Sequence, residues 1–533
     1  MGSPALTRRR LLAATGLAAS GCVPGEGGPP VSAWVGARHE RGHRLRDPQA
    51  LPPPAVQRRA RVLIVGAGIA GLAAARAFTR AGIADVHVLE LEDSAGGNSR
   101  GHAIAGMACP LGAHYLPLPG PESWEVSEWL HEIGLLKSEL GRTVAEERHL
   151  CHSPQERLFI DGAWAEGLLP PADPGSATAA QYRRFGAEIE RLGRMPDGRR
   201  AYALPAHRGP WGEAQAVLNR QTFAQWLDAQ GLNDTRLRWY LDYCCRDDYG
   251  AGADTVSAWA GVHYFACRHG FRAPGGSDGA GEGERESVFT WPEGNAWLVQ
   301  RLAAPLGDRL HAGRTVLRVS ELRHAVQVLA WDERAARLEA WSAAQVVLAV
   351  PLFVAARVLE SPPPALREAA ALLHYAPWLV ANLHLTAPLL SRPGAAPSWD
   401  NVIYGSSGLG YVDAMHQSLR PHDGPTVLTA YRELAPGDRA SLLAADPGPW
   451  AERVLRDLQT VHPDLRRRVA RVDLMRWGHA MAVPLPGIQR HSALLALRRM
   501  RGRVGFAHAD LAGYSVFEEA FTLGSEAAGM PLP

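Results

Sequence analysis

Lysine is nearly missing from this chain: among 533 residues Lys137 is the only one, and arginine carries the remaining basic charge. Lysine Schiff-base chemistry, including that of pyridoxal phosphate, is therefore not expected. A dominant charge sign is missing too. Lys plus Arg number 56 and Asp plus Glu 54, leaving a formal charge of +2, and aromatic residues make up 7%. Neither figure suits a nucleic-acid surface. The six cysteines (Cys22, Cys109, Cys151, Cys244, Cys245 and Cys267) show no zinc-ligand spacing with histidines, so no metal site is expected. Adjacent Cys244 and Cys245 read as buried neighbours, not as a vicinal disulfide. The early apolar run, Leu11 to Ser20, falls short of the ~20 residues that cross a bilayer. No internal repeat appears.

What is present is length and a nucleotide-binding signature. The chain is too long for one core, so at least two lobes are expected. Val62 to Val65 reads as a buried strand, Gly66-Ala67-Gly68-Ile69-Ala70-Gly71 as a tight turn into a helix, and Val86 to Glu90 as the next strand. Gly66 permits the turn, Gly68 leaves room for a pyrophosphate, and Gly71 lets helix and strand approach. The helix start, with Ile69 and Ala70, offers free N–H groups to phosphate oxygens. Glu90 ends the second strand, where a carboxylate accepts ribose hydroxyls and repels a 2′-phosphate.

A second glycine pair follows at Gly96-Gly97-Asn98-Ser99-Arg100. It would bring another loop to the phosphates, with Arg100 able to pair with them. Near the other end, Arg503 to Asp510 reads as a strand ending in an acid, and Phe517 to Ala528 as a helix with small residues at Gly524, Ala527 and Ala528. Together these motifs resemble those of the flavin-containing amine oxidase superfamily, which includes monoamine and polyamine oxidases, protoporphyrinogen oxidases and carotenoid desaturases. Landmarks in the same order support the resemblance: Gly112-Ala113-His114-Tyr115 for the loop beside the flavin ring, Trp291 to Leu298 for a turn before a helix, Leu310 to Val319 with Val316 for the strand contacting adenine, and Ala344 to Pro351 for the strand closing the domain. The resemblance spans roughly residues 60 to 530 and implies FAD, with Asp510 and Phe517 at its ribityl and phosphate end. Asn98 stands where the family has arginine, Glu519 where it has glycine and Leu523 where it often has serine.

The fold class that follows is α/β: a Rossmann-like, three-layer ββα FAD-binding domain assembled discontinuously, and an α+β substrate domain with a mixed sheet. The expected division is 60–120, 286–352 and 488–530 for the cofactor domain, and 121–285 with 353–487 for the substrate domain. Residues 23–59, rich in Pro, Gly and Arg, read as a linker; Arg272 to Glu286 and Asp161 to Pro174 read as loops. Residues 1–22 read as an export signal. Thr7-Arg8-Arg9-Arg10-Leu11-Leu12 resembles a twin-arginine motif, and Ala19-Ser20-Gly21-Cys22 a lipoprotein box. The twin-arginine export machinery, a lipid anchor at Cys22 and a periplasmic or outer-face location are the corresponding expectations.

A flavin of this type accepts a hydride, so the protein has to position a C–H bond and control charge. An amine must first shed its proton, which apolar or aromatic walls favour. Candidate walls are Trp477, Met481, Tyr514 and Phe517, with His114 beside the ring. Many amine-oxidising relatives hold a lysine near the flavin; here Arg357 is nearest by pattern. Asp242, Asp247 and Asp248 could attract a distal ammonium. The leading expectation is oxidation of an amine, amino acid or polyamine. The alternatives are a C–C desaturase or protoporphyrinogen oxidase-like enzyme on an apolar substrate, and a flavin-bearing, non-catalytic envelope protein.

Overall fold

The computed structural model describes residues 30–46, 51–273, 287–418 and 424–529. The twin-arginine and Cys22 motifs, and most of the expected loop 272–286, lie outside these residues. Among the described residues no helix is long and apolar enough to cross a membrane.

Two sheets organise the chain. The first is built on the nucleotide-binding signature. Val62, Leu63 and Ile64 are wholly buried, because their strand, Val56–Val65, runs parallel between Val86–Glu90 and Arg337–Leu348 and is covered on both faces. Leu310–Ala312 adds in parallel beyond Val86–Glu90, and Val504–Phe506 beside the end of Arg337–Leu348. Arg314–Glu321, Val326–Asp332 and the first half of Arg337–Leu348 form an antiparallel meander. One face packs on helix Ile69–Arg80, whose alanines admit close neighbours, around Phe78, Trp129 and Phe521. Full burial of Phe78 or Phe521 stabilises by about 1.5–3 kcal/mol over exposure. The parallel layer, the meander and the helices give the expected three-layer ββα arrangement.

The second sheet is mixed and has eight strands. Val469–Ala482, Tyr375–Leu385 and Thr426–Glu433 form its antiparallel centre. Asp400–Ile403 and Glu156–Ile160 lie parallel near its far edge. Helices between Ala177 and His263 pack on one face around Phe185, Phe223 and Tyr249.

Two boundaries differ from the sequence reading. The stretch read as a linker holds a strand, Val31–Trp34, paired in parallel with Arg471 to Leu474, and a short helix, His39–His43. Its Pro and Gly content concealed a four-residue run that supplies the edge strand of the second sheet. Helices Leu352–Val358 and Pro364–Leu372, expected in the substrate domain from residue 353 on, bury Leu352, Ala355, Leu366 and Ala369 with Val65, Val316 and Leu348 under the first sheet. Residues 161–174 are a hairpin turn at Asp161 and Gly162 followed by strand Ala163–Glu166. Cys244 and Cys245 are buried and unbridged.

Candidate active site

The glycine turn sits at the carboxyl ends of the parallel strands, where open α/β sheets place ligands. Gly66 has φ +99°, and a Cβ on it would strike the Ala349 carbonyl; a Cβ on Gly71 would overlap the Gly66 carbonyl. These two glycines are required by the fold itself. Gly68 differs. Its φ of −71° suits any residue, and a Cβ there would find nothing nearer than Gly97 Cα at 3.9 Å. With no side chain there, the backbone at the helix start stays approachable, as a pyrophosphate requires. Ile69 and Ala70 start the helix at this candidate groove. Glu90 is buried beside it, accepting hydrogen bonds from Ala67 N–H (2.8 Å) and Glu92 N–H (2.9 Å). Burial raises its pKa, and those N–H groups and Arg100 partly offset the rise.

Gly97 lies against Gly68, so the doublet forms the opposite lip. Asn98 ties that lip to the second sheet: its side-chain N–H donates to Ala480 O (2.5 Å), and its carbonyl accepts from Ala113 N–H (2.8 Å). Arg100 is nearly buried, donating to Gly36 O (2.9 Å) and Gly97 O (3.3 Å), with its guanidinium 5.2 Å from the Trp477 ring. It braces the doublet loop. At Val316 the ladder slips a residue before Arg318, leaving Leu317 backbone outside regular pairing.

Asp510 closes the far end. It is fully buried. Its Oδ2 accepts from Leu352 N–H (2.8 Å) and Tyr375 O–H (2.6 Å). Oδ1 has no hydrogen-bond partner, although His508 Nδ1 stands 3.1 Å away. Burial opposes ionisation, yet His508, Tyr375 and Leu352 prevail and hold the carboxyl below its usual pKa. Helix Phe517–Glu526 packs on Ile69–Arg80, with Gly524 against the Ala70 carbonyl, a contact no Cβ would allow. The buried Glu519 points away from the glycines and accepts from Ala206 N–H (2.6 Å) and Tyr514 O–H (2.7 Å). Gly68, which puts no side chain at the helix start, and the buried Asp510, whose Oδ1 has only His508 Nδ1 at 3.1 Å, fit an extended dinucleotide.

Asp510→Ala should leave the Tyr375 hydroxyl and the Leu352 N–H unpaired in the core, at ~1–3 kcal/mol each, and lower the urea midpoint accordingly; Asp510→Asn should lower it less. With its folded pKa depressed, Asp510 contributes stability above its unfolded pKa of ~3.9, and that contribution is lost as pH falls through the folded value.

From the groove the loop Gly112-Ala113-His114 leads to an aromatic and acidic cluster. Trp477 Nε1–H donates to Leu111 O (2.7 Å) and Tyr431 O–H to Gly112 O (3.0 Å), fixing the loop from both sides. His114 stacks on Tyr431 at 4.4 Å and lies 5.4 Å from Trp399; Tyr115 is 6.0 Å from Trp399. Burial drops the His114 pKa to about 3, so it is neutral. Asp247, from helix Thr235–Tyr249, and Asp400 act on both Tyr115 and Tyr431. Asp400 lies directly across from Glu156 in the parallel register, an arrangement that costs stability. Burial, then Asp248 and Glu433, push the Asp247 pKa up to about 7, against the pull of Arg268. Burial, Glu156 and Asp247 raise that of Asp400. Arg268 is drawn to Asp248 (3.9 Å) and Glu518 (3.7 Å). Among the described residues neither Asp247 nor Asp400 has an ion-pair partner within 4 Å. No group of three metal-ligating side chains occurs among them either.

A family model described as flavin-containing amine oxidoreductase matches residues 69–529, running from the first helix of the groove to the closing one. The chain belongs to that family. It is a flavin-dependent oxidoreductase of the amine oxidase type. AofH of Mycobacterium tuberculosis, a protein assigned as a flavin-containing monoamine oxidase, is 28% identical over 383 residues, covering 69% of this chain and 73% of that protein. The structure of a putrescine oxidase bound to putrescine superposes with a TM-score of 0.65 at 20% identity, over 89% of this chain and 99% of that one. A protein assigned as a protoporphyrinogen oxidase from Exiguobacterium gives 0.57 at 16% identity, over 90% and 99%.

Within this amine oxidase fold the sequence-predicted residues separate into groups. Gly66, Gly68, Ile69, Ala70, Gly71, Glu90, Gly96, Gly97, Asn98, Arg100, Gly112, Ala113 and His114 lie around the glycine turn, the doublet and the loop that continues from it; Asp510 lies in the turn after strand Val504–Phe506, and Val316 within strand Arg314–Glu321. Trp477 joins them through Leu111. Tyr514 does not act as a wall: it is 1% exposed, enclosed by Trp259, His263 and Tyr249, and its hydroxyl is spent on Glu519. The Phe517 ring turns to the other side and stacks on Trp129 and Phe521, so only its backbone remains at the helix start. Arg357 is exposed on its helix. Asp242 serves structure, pairing with Arg246 and accepting from Ala253 N–H, and Asp248 faces Arg268. Of that trio only Asp247 makes no ion pair within 4 Å among the described residues. Sequence reasoning missed Asp400, Glu156, Trp399 and Tyr431. Glu156, Asp400 and Tyr431 come from separate strands, with Trp399 just before one of them, and sheet register makes them neighbours.

Proposed function

We propose that the chain is an FAD-dependent oxidase of a diamine or polyamine. FAD, when bound, supplies the hydride acceptor; Glu90, the two glycine pairs and Asp510 would hold it. The cluster of Asp247 and Asp400 among Tyr115, Tyr431, Trp399 and neutral His114 carries the reading. Asp247 acts electrostatically on Asp400, and burial holds both toward the neutral acid; a cation between them would favour their ionised forms, and aromatic faces around them add cation–π attraction. An ammonium at one end of a substrate would sit there, leaving the other end near the Gly112 loop and Trp477. Buried walls there favour the neutral amine from which a hydride can depart. An apolar desaturase substrate would leave these carboxylates uncompensated.

Anaerobic mixing tests the reading. Diamines and polyamines should bleach the flavin absorbance faster than monoamines of equal length, whereas uncharged hydrocarbons should not bleach it. Equal rates with diamines and monoamines would remove the cation site, and bleaching only by apolar donors would overturn amine oxidation. The diamine KM should fall as pH rises through about 7, because Asp247 gains its charge there while the amine keeps its own.

The amino-terminal Arg8-Arg9 pair and Cys22 support a further proposal of export with lipidation. Mass spectrometry of envelope protein retaining Met1 would refute it.

A further inference from the structure

Residues 36–46 cross the carboxyl ends of the first sheet and are fastened at several points. The Arg38 N–H donates to both oxygens of Glu92 (3.1 and 3.2 Å). Arg41 donates to Leu91 O (2.8 Å) and Asp93 (2.9 Å). All three acceptors directly follow Glu90 in sequence. Arg44 pairs with Glu333 at 3.1 Å, in the turn between strands Val326–Asp332 and Arg337–Leu348. Gly36 O is held by Arg100, which also grips Gly97 in the doublet. Leu45 packs on the core that contains Val65 and Leu89, the strand ends beneath the groove. The segment's charge is one-sided as well: Arg38, Arg41, Arg44 and Arg46 against Glu40. Arg46 is exposed and makes no ion pair among the described residues. His43 and His479 both feel its charge, in addition to their burial. His479 adjoins Ala480, the acceptor of Asn98.

We propose that residues 36–46 form a strap that retains the adenosine diphosphate part of the bound dinucleotide, with Arg46 supplying positive charge that Asn98 does not. The inference rests on the groove holding FAD. A segment fastened along one margin of a crevice, at Leu91 to Asp93, Arg100 and Glu333, must loosen before an extended ligand beneath it can leave. It therefore governs release, and its charge favours the diphosphate.

Two variants test this: Arg41→Ala with Arg44→Ala, which cuts two anchors, and Arg46→Glu, an exposed change that leaves packing intact. Flavin release is read by recovery of FAD fluorescence on dilution, FAD affinity by titration of apoprotein, and folding by the thermal midpoint of apoprotein. Both variants should release FAD about tenfold faster, equivalent to ~1.4 kcal/mol, with the apoprotein midpoint unchanged. Unchanged release in both, or a lowered apoprotein midpoint that accounts for the loss, overturns the strap. Wild-type protein that binds no FAD overturns the FAD reading itself, and the strap with it.

Discussion

Replacing Gly68 by valine is expected to give a folded protein without flavin. The residue has φ −71° and ψ −179°, extended backbone that valine adopts readily. A Cβ there meets no protein atom closer than 3.9 Å, so the fold should not oppose it. The new methyls would occupy the space between the glycine turn and Gly97, where phosphate oxygens must approach backbone N–H groups. Overpacking costs ~1–3 kcal/mol and lost charge-assisted hydrogen bonds ~1.5–3 kcal/mol, so FAD affinity should fall by about 100-fold or more. Gly71→Val is the contrast, because its Cβ would overlap the Gly66 carbonyl and the protein should lose stability as well as colour. Circular dichroism beside the flavin absorbance separates the two. A yellow Gly68→Val protein with wild-type affinity would show that the diphosphate lies elsewhere.

The second large effect is expected at Asp247. Asp247→Asn keeps the shape and removes the charge. A charge-assisted contact contributes ~1.5–3 kcal/mol, so diamine KM should rise by about 10- to 100-fold, while monoamine turnover should change little. A proportional loss for both substrates would mean that Asp247 only shapes the site. Stability should move the opposite way. Asp247 has its folded pKa raised to about 7, so the native state holds a proton that the unfolded chain has already released. Stability therefore declines as pH climbs from the unfolded carboxylate value of ~3.9 to 7. Removing the group should raise the thermal midpoint at pH 8 and leave it almost unchanged at pH 4. Loss of stability at pH 8 would place an undetected cation beside the carboxylate.

The groove was legible in sequence because its parts are local. Gly66, Gly68, Gly71 and Glu90 fall within one strand–turn–helix–strand unit, and Gly66 and Gly71 have backbone reasons that survive transfer to any neighbouring structure. Asp510 and Gly524 were legible through a motif in which an acid and a small residue stand at fixed spacing. The walls were not legible. Tyr514 and Phe517 occupy the right stretch of chain, but the direction of a ring depends on its neighbours: His263 and Trp259 enclose one, and Trp129 draws the other aside. Glu519, where the family has glycine, is accommodated because Ala206 and Tyr514 take its carboxylate away from the groove.

By itself, the sequence determined a strand–glycine turn–helix–strand unit, since turn geometry and strand burial are properties of short segments, and its motifs together resembled those of a flavin family. Tertiary structure alone decided that Asp400 lies across from Glu156 and near Asp247, and that residues once read as a linker become an edge strand and a strap. Those depend on register between strands hundreds of residues apart, which no local pattern of side chains encodes.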